Sequence, residues 1–188
     1  MADDVLDIFK TAGAITQGHF LLASGLHSPV YWEKFRILQD PGLTEKLCRL
    51  IAQHFKGQEI DVVAGPTTGG IILAFETARQ LGVRSIFAEK EGGTRVFRRD
   101  FGVVPGVRIL VVDDIVTEGG SVRETINAVN RLGGIAIGIG VLVDRSERNL
   151  EFNLPFFSCL RAPTTAYPPQ ECPLCADHIP LMKPGAPT

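Results

Sequence analysis

The sequence predicts an α/β fold, a doubly wound and mainly parallel sheet with a small N-terminal hood, and three observations predict it. Aliphatic, largely β-branched runs such as 109–112 (Ile-Leu-Val-Val) read as strands buried on both faces, the kind found in parallel sheets. These runs alternate with stretches whose apolar residues recur at helical spacing, and such alternation means parallel strands joined by right-handed crossovers. Two strand-to-helix junctions, 66–70 and 117–121, are rich in glycine and hydroxyls, and open α/β sheets bind ligands at such junctions.

Taken in order, Asp3 to Thr11 carries Val5, Ile8 and Phe9 on one side of a short helix that Gly13 ends. Phe20 to Ala23 and Val30 to Trp32 read as short strands around a breaker-rich turn, Ser24 to Pro29. Residues 1–38 are therefore expected to build the hood. Leu43 to Phe55 is a second helix, with Leu43, Leu47, Leu50, Ile51 and Phe55 on one face. Then follow strand Ile60 to Gly65, helix Ile71 to Leu81, strand Arg84 to Ala88, a long loop from Glu89 to Gly106, strand Arg108 to Asp113, helix Ser121 to Leu132 and strand Ile135 to Val143. Gly138 and Gly140 weaken that last strand on propensity and imply close backbone packing against a neighbour. Phe152 to Leu160 supplies a further strand. The proline-rich tail, 161–188, is expected to be irregular and to end disordered. With no repeat and no linker, the whole of 1–188 reads as one domain.

Bulk properties narrow the function. At 45% hydrophobic and 21% charged the composition is that of an ordinary globular protein, and no apolar run approaches the roughly 18 residues of a membrane span. The acidic start lacks the pattern of a secretory signal, so a cytoplasmic protein is expected. A formal net charge of −2 gives no support for a polyanion-binding surface, and nucleic acid is not an expected partner. Cys48, Cys159, Cys172 and Cys175 do not make a disulfide framework in a chain of this size and are expected to be reduced.

The strand from Arg108 delivers Asp113 and Asp114 into a turn, Thr117-Glu118-Gly119-Gly120-Ser121, that opens a helix. Free amides and the positive end of the helix dipole favour a phosphate there. Two carboxylates beside a bound monophosphate are placed to accept hydrogen bonds from sugar hydroxyls or to face a divalent cation, and a sugar phosphate suits both halves. A Walker loop is excluded because no Lys follows the glycines. A dinucleotide fingerprint would place its acid about 20 residues after the glycines, not before them. Pro66-Thr67-Thr68-Gly69-Gly70 forms a second anion-friendly turn, so two phosphate groups are implied. The segment from Glu89 to Gly106 is long, glycine-punctuated and basic, with Lys90, Arg95, Arg98 and Arg99, the profile of a mobile lid.

Residues 113–121 closely resemble the phosphoribosyl-pyrophosphate (PRPP) motif of the type I phosphoribosyltransferases, with Asp113, Asp114, Ile115, Val116, Thr117, Glu118, Gly119, Gly120 and Ser121 in matching order. Glu118 departs mildly from that motif and is expected to turn outward. The resemblance implies that these residues bind PRPP, that Thr67, Thr68 and Gly69 hold its pyrophosphate, and that Lys90, with Arg98 and Arg99 as candidates and Arg95 beside them, closes over it. Residues 24–32, with Tyr31 and Trp32, resemble the orotate-specific branch, in which paired aromatics line the pyrimidine site. Lys commonly stands in that branch at the positions of Ala23 and Gly69. Arg145, following Asp144 at the end of a strand, suits a planar carboxylate or imide edge because its fork donates two parallel hydrogen bonds.

For this chain the resemblance implies transfer of the phosphoribosyl group from PRPP to orotate in pyrimidine (UMP) biosynthesis. Asp113, Asp114 and Lys90 would be catalytic, and Thr117, Arg145, Tyr31 and Trp32 would contact orotate. Mg²⁺ would be held mainly through PRPP and water, with no direct protein ligand. A homodimer that exchanges its loops between active sites is also implied. The alternatives are a purine-base phosphoribosyltransferase on the same fold and a non-catalytic PRPP-sensing regulator. Cys172 and Cys175 form a CxxC, but a lone pair is half a zinc site and no second half follows it. His178 stands too close to Cys175 to complete one, so a structural role in the tail is expected.

Overall fold

The structure, a computed structural model, describes residues 2–22 and 24–184, with backbone alone for Ala2 and Asp3. Ala23 and the end of the tail, Pro187 included, lie outside the described residues.

Helix α1 (Ala2–Thr11) leads into an antiparallel hairpin, β1 (Ile15–Leu21) and β2 (His27–Trp32). A short helix not anticipated from the sequence, α2 (Phe35–Leu38), precedes α3 (Pro41–His54). The start of α3 is fixed by Pro41 in its first turn and by the Asp40 carboxylate, which accepts from the Leu43 amide at 3.0 Å. Strand β3 (Val62–Pro66), helix α4 (Gly69–Leu81), β4 (Arg84–Glu91), β5 (Thr94–Phe97), β6 (Arg108–Val116), α5 (Gly120–Arg131), β7 (Ile135–Asp144) and β8 (Phe156–Arg161) complete the main body, and α6 (Pro173–Ala176) is a single turn in the tail.

Six strands form one sheet in the order β5-β4-β3-β6-β7-β8, parallel throughout except for the edge strand β5. The chain moves from β3 outward to β4 in one direction and from β6 to β7 in the other, so the topological switch point lies between β3 and β6. Ligands of open α/β sheets sit outside the carboxyl ends of the strands at that point. Strand alternation divides the core as a period of two requires. Val63, Leu110, Val112 and Leu142 face α1, α3 and α4, while Val62, Ala64, Ile109, Val111, Ile139 and Val141 join two clusters with Val122 and Val129 of α5. Gly138 and Gly140 are the sockets into which α3 packs: a β-carbon added to them would lie 2.5 Å from the Phe55 ring and 2.5 Å from Ile51 Cγ2 respectively.

Two sequence expectations need correction. The segment after Ala88 does not leave the sheet; β4 continues to Glu91, turns through Gly92 and Gly93, both at positive φ, and returns as β5. A Gly-Gly pair supports this tight reversal, so the irregular connection spans only 98–107. The last strand begins at Phe156 rather than Phe152, because Asn153 adopts φ 54° and Pro155 follows; Phe152 and Leu154 instead pack beside Val122 and Ile139. The tail is irregular but anchored. His27 pairs with Tyr167 and Phe20 with Met182, so residues near both ends of the described chain share backbone hydrogen bonds.

Candidate active site

The carboxyl ends of β3 and β6 meet closely. A β-carbon on Gly69 would lie 1.9 Å from Asp114 Oδ2, and one on Gly65 would lie 2.0 Å from the Gly70 carbonyl oxygen, so the first turn of α4 is pressed against both strands, backbone on backbone at Gly65. The Thr67–Thr68 peptide is cis, and Thr68 opens α4 without a side-chain cap. Gly119, at φ 79°, likewise opens α5 with no side-chain cap. Two uncapped helix starts thus border the switch point, each with backbone amides available to an anion.

The acidic pair lies inside the last part of β6, not outside the core as a strand-end position suggests, with Asp113 6% and Asp114 3% exposed. Asp114 is held by Lys34, whose Nζ stands 2.9 Å from both carboxylate oxygens. Asp113 accepts the Asp114 amide at 2.8 Å. Burial, and then the charge of Asp114, push the Asp113 carboxyl up to about 7; the amide bond, Lys34 and Ser121 oppose that rise. Lys34 was not a sequence candidate. It stands two residues beyond Trp32 and 80 positions from Asp114, so no local spacing pointed to it, and it supplies on a neighbouring element a cation that Gly69 cannot.

Around this centre Thr117 and Glu118 are exposed, the latter as expected, while Gly119 is buried against Phe152. A crevice of about 630 Å³ opens beside them, lined in part by Leu26, Thr117, Glu118, Arg145 and Thr164. Arg145 is 7% exposed and lies over the Trp32 ring, 5.4 Å from its centroid. Its buried Nε has no hydrogen-bond partner, and burial lowers its pKa. Asp144 turns away, accepting from the Ser146 amide and hydroxyl at 2.9 and 2.6 Å, so residues 144–145 are not a surface ion pair. Trp32 is also core, packed on Phe9 at 5.3 Å, whereas Tyr31 faces the other side of β2 against Phe20. A smaller hollow of about 360 Å³ under Phe55 and Leu81 lies at the opposite end of the sheet and contains none of these groups.

Of the loop cations, Arg95 reaches the first turn, donating to the Thr67 hydroxyl at 3.1 Å and the Ala88 carbonyl at 3.3 Å. Arg98 pairs with Glu91 and Arg99 with Glu89 on the exposed hairpin, so neither meets the turns of its own chain. Lys90 is exposed near the end of β4. The structure therefore assembles Asp113, Asp114, Thr67, Gly69, Thr117, Trp32 and Arg145 around the switch point, leaves Arg98 and Arg99 on Glu91 and Glu89, and exposes Lys90 just beyond the β4 residue that pairs with Pro66.

Residues 36–173 match the family profile of the phosphoribosyl transferase domain. The chain is 50% identical over 184 residues to the orotate phosphoribosyltransferase of Caldanaerobacter subterraneus subsp. tengcongensis, covering 98% of this chain and 97% of that protein. It is 47% identical, over the same share of each, to the enzyme of that name from Pelotomaculum thermopropionicum. Among solved structures, the orotate phosphoribosyltransferase of Aeropyrum pernix superimposes with a TM-score of 0.69 at 26% identity, over 84% of this chain and 93% of that one. An adenine phosphoribosyltransferase from Thermoanaerobacter pseudethanolicus shares the fold, with a TM-score of 0.60 at 21% identity over 71% of this chain and 88% of that one.

Proposed function

Since the chain belongs to the orotate phosphoribosyltransferase family, we propose that it transfers the 5-phosphoribosyl group of PRPP to orotate, giving orotidine 5′-monophosphate and pyrophosphate in pyrimidine biosynthesis. One observation favours orotate over the purine bases that the same fold accommodates elsewhere. Arg145 is buried on Trp32 with an unpartnered Nε beside the phosphate turn. Leaving such a donor unpaired is costly, and a planar carboxylated base satisfies it.

The anomeric C–O bond breaks ahead of bonding to the base, so the enzyme's task is positioning and electrostatics rather than proton transfer. On our reading the amides of 117–121 grip the 5′-phosphate and Thr67 to Gly69 the pyrophosphate. Asp113 and Asp114 orient the ribose hydroxyls and place negative charge beside the developing cation. Lys34 holds the Asp114 carboxylate in place through both its oxygens. Arg95 joins the pyrophosphate side through Thr67. The donor set at the switch point suits Mg²⁺ carried in by the substrate, because Asp114 is already engaged by Lys34 and leaves the phosphates and water as the main ligands. When bound, Mg²⁺ neutralises charge on the leaving pyrophosphate. We further propose a cytoplasmic homodimer in which Lys90, Arg98 and Arg99 serve the partner's site; Arg98 and Arg99 pair with Glu91 and Glu89 and not with the turns of their own chain.

The test is a substrate panel: orotate, uracil, adenine and hypoxanthine, each with PRPP, with and without Mg²⁺. Orotate alone should turn over, and only with the cation. In parallel, Arg145→Ala should raise the KM for orotate far more than that for PRPP, costing on the order of 2 to 4 kcal/mol of transition-state binding. Purine turnover without orotate turnover would overturn the assignment, and equal weakening for both substrates would remove Arg145 from the base pocket.

A further inference from the structure

Cys172 and Cys175 do have a second half, and it precedes them. His19 and His27 of the hood hairpin lie against the CxxC turn, and one ligand atom from each of the four residues falls within 4.8 Å of every other. We propose that these four side chains bind one Zn²⁺ ion as a Cys₂His₂ site that fastens the tail to the hood.

Four of the six ligand-to-ligand separations fall within about 0.4 Å of the edges of a tetrahedral zinc site. With Zn–N near 2.05 Å and Zn–S near 2.3 Å, the edges of a tetrahedral site are about 3.3 Å for N···N and about 3.6 Å for N···S. Observed separations are 2.9 Å from His19 Nε2 to His27 Nδ1, 3.5 Å from His19 Nε2 to Cys172 Sγ, 3.7 Å to Cys175 Sγ, and 3.3 Å from His27 Nδ1 to Cys175 Sγ. This leaves room for a single ion at the centre and none for a two-metal cluster. Soft thiolates with imidazoles in this geometry select zinc over Mg²⁺.

Each ligand is aimed by structure outside the cluster. His19 Nδ1 stands 2.7 Å from the Ile179 carbonyl, an acceptor only, so the proton must sit on Nδ1 and the Nε2 lone pair faces the cluster. The β1–β2 pairing of Leu21 with His27 is followed by a register shift between Gln17 and Phe20, and across it the His19 and His27 rings meet edge to face with centroids 4.8 Å apart. Pro173 opens α6 directly after Cys172, and the Cys175 amide bonds back to the Cys172 carbonyl at 3.2 Å, turning both sulfurs to the same side. The Tyr167 and Met182 bridges hold the tail on either side of the turn. His19, His27 and Cys172 are 1%, 5% and 4% exposed, so two imidazoles are removed from water with the cluster as their shared environment, and Cys175 is half-buried at its edge. His178, the ligand considered from spacing, is exposed and outside the cluster. Binding converts two thiols to thiolates and releases two protons, leaving a neutral site with no change of oxidation state.

The test is metal content, which does not depend on turnover and so stands or falls apart from the proposed reaction. Protein purified under reducing conditions from zinc-supplemented cells should carry close to one zinc per chain. His178→Ala should keep it, while His19→Ala and Cys175→Ser should lose it and melt at lower temperature. Should those variants fail to fold, the wild-type chain still decides: stripped of metal and titrated with Co²⁺, it should develop the absorption of a tetrahedral thiolate-bound ion at one equivalent. Wild-type protein with less than about a tenth of an equivalent of zinc and no Co²⁺ band, or a Cys172–Cys175 disulfide in place of metal, would overturn the proposal.

Discussion

Asp113 shows how the site trades stability for charge. Its carboxyl is ordinary when unfolded and rises to about 7 when folded, because burial and Asp114 penalise the ionised form. Between those values the folded chain holds a proton that the unfolded chain has released, so this group's contribution declines as pH rises from about 4 to about 7 and stays at its lowest above that. Asn carries no such penalty. Asp113→Asn should therefore melt above wild type by a margin that widens from about pH 5 to about pH 8, while kcat/KM falls by orders of magnitude. Thermal melts across that range check it, and a margin independent of pH would mean that the carboxylate is not titrating in the folded state. The acidic pair itself was legible in the sequence, since strand, carboxylates, hydroxyls and glycines follow one another without a gap. Lys34 was not, because an ion pair formed with a residue 80 positions away leaves no local pattern.

The hairpin of β4 and β5 carries the loop cations on a sheet edge, anchored by pairing from Ala88 with Phe97 to Glu91 with Thr94. Pairing fixes its root beside the carboxyl end of β3, and the proposed homodimer would carry the exposed Lys90 to the partner's site. Suppose Lys90→Ala and the double variant Asp113→Asn/Asp114→Asn are each nearly inactive. Mixing them under subunit exchange should then restore about a quarter of wild-type activity, since half the dimers would be mixed and each would own one intact site of two. Confirmed exchange with no recovery would place Lys90 over its own subunit or outside catalysis. The sequence marked this segment as a basic loop, yet not its hairpin, because Gly92 and Gly93 serve a flexible lid and a tight reversal equally well. Arg95 reaches Thr67 only because that reversal turns β5 back along β4.

Across the whole molecule the fold was the most legible part, since hydrophobic period and strand–helix alternation act over many residues at once. The sequence also indicated, through Gly138 and Gly140, that something packs closely on β7; that α3 does so follows only from the folded layers. Gly140→Ala places a β-carbon 2.5 Å from Ile51 Cγ2 and should cost about 1–3 kcal/mol in denaturant unfolding. Combined with Ile51→Ala, the loss should be smaller than the sum of the two single changes, because the truncated side chain vacates the space the new methyl needs. Simple additivity would mean that the sheet moves instead. What stayed hidden at this scale was any contact between the hood and the tail, whose residues lie too far apart for spacing to relate them.

That separation governs the order in which the protein can be made. The His19 ring contacts the Ile179 carbonyl 160 positions later, and the Leu21 amide bonds to Met182. The hood hairpin leaves the ribosome about 160 residues before its backbone partners in the tail are synthesised. Through most of translation, then, the sheet can assemble from β3 to β8 while the hood waits with its imidazoles uncovered. A chain stalled or cut after Arg161 would own every strand of the six-stranded sheet, both glycine-rich turns and the acidic pair, but it would lack Thr164 and Ala166, which line the crevice together with Leu26 of the hood.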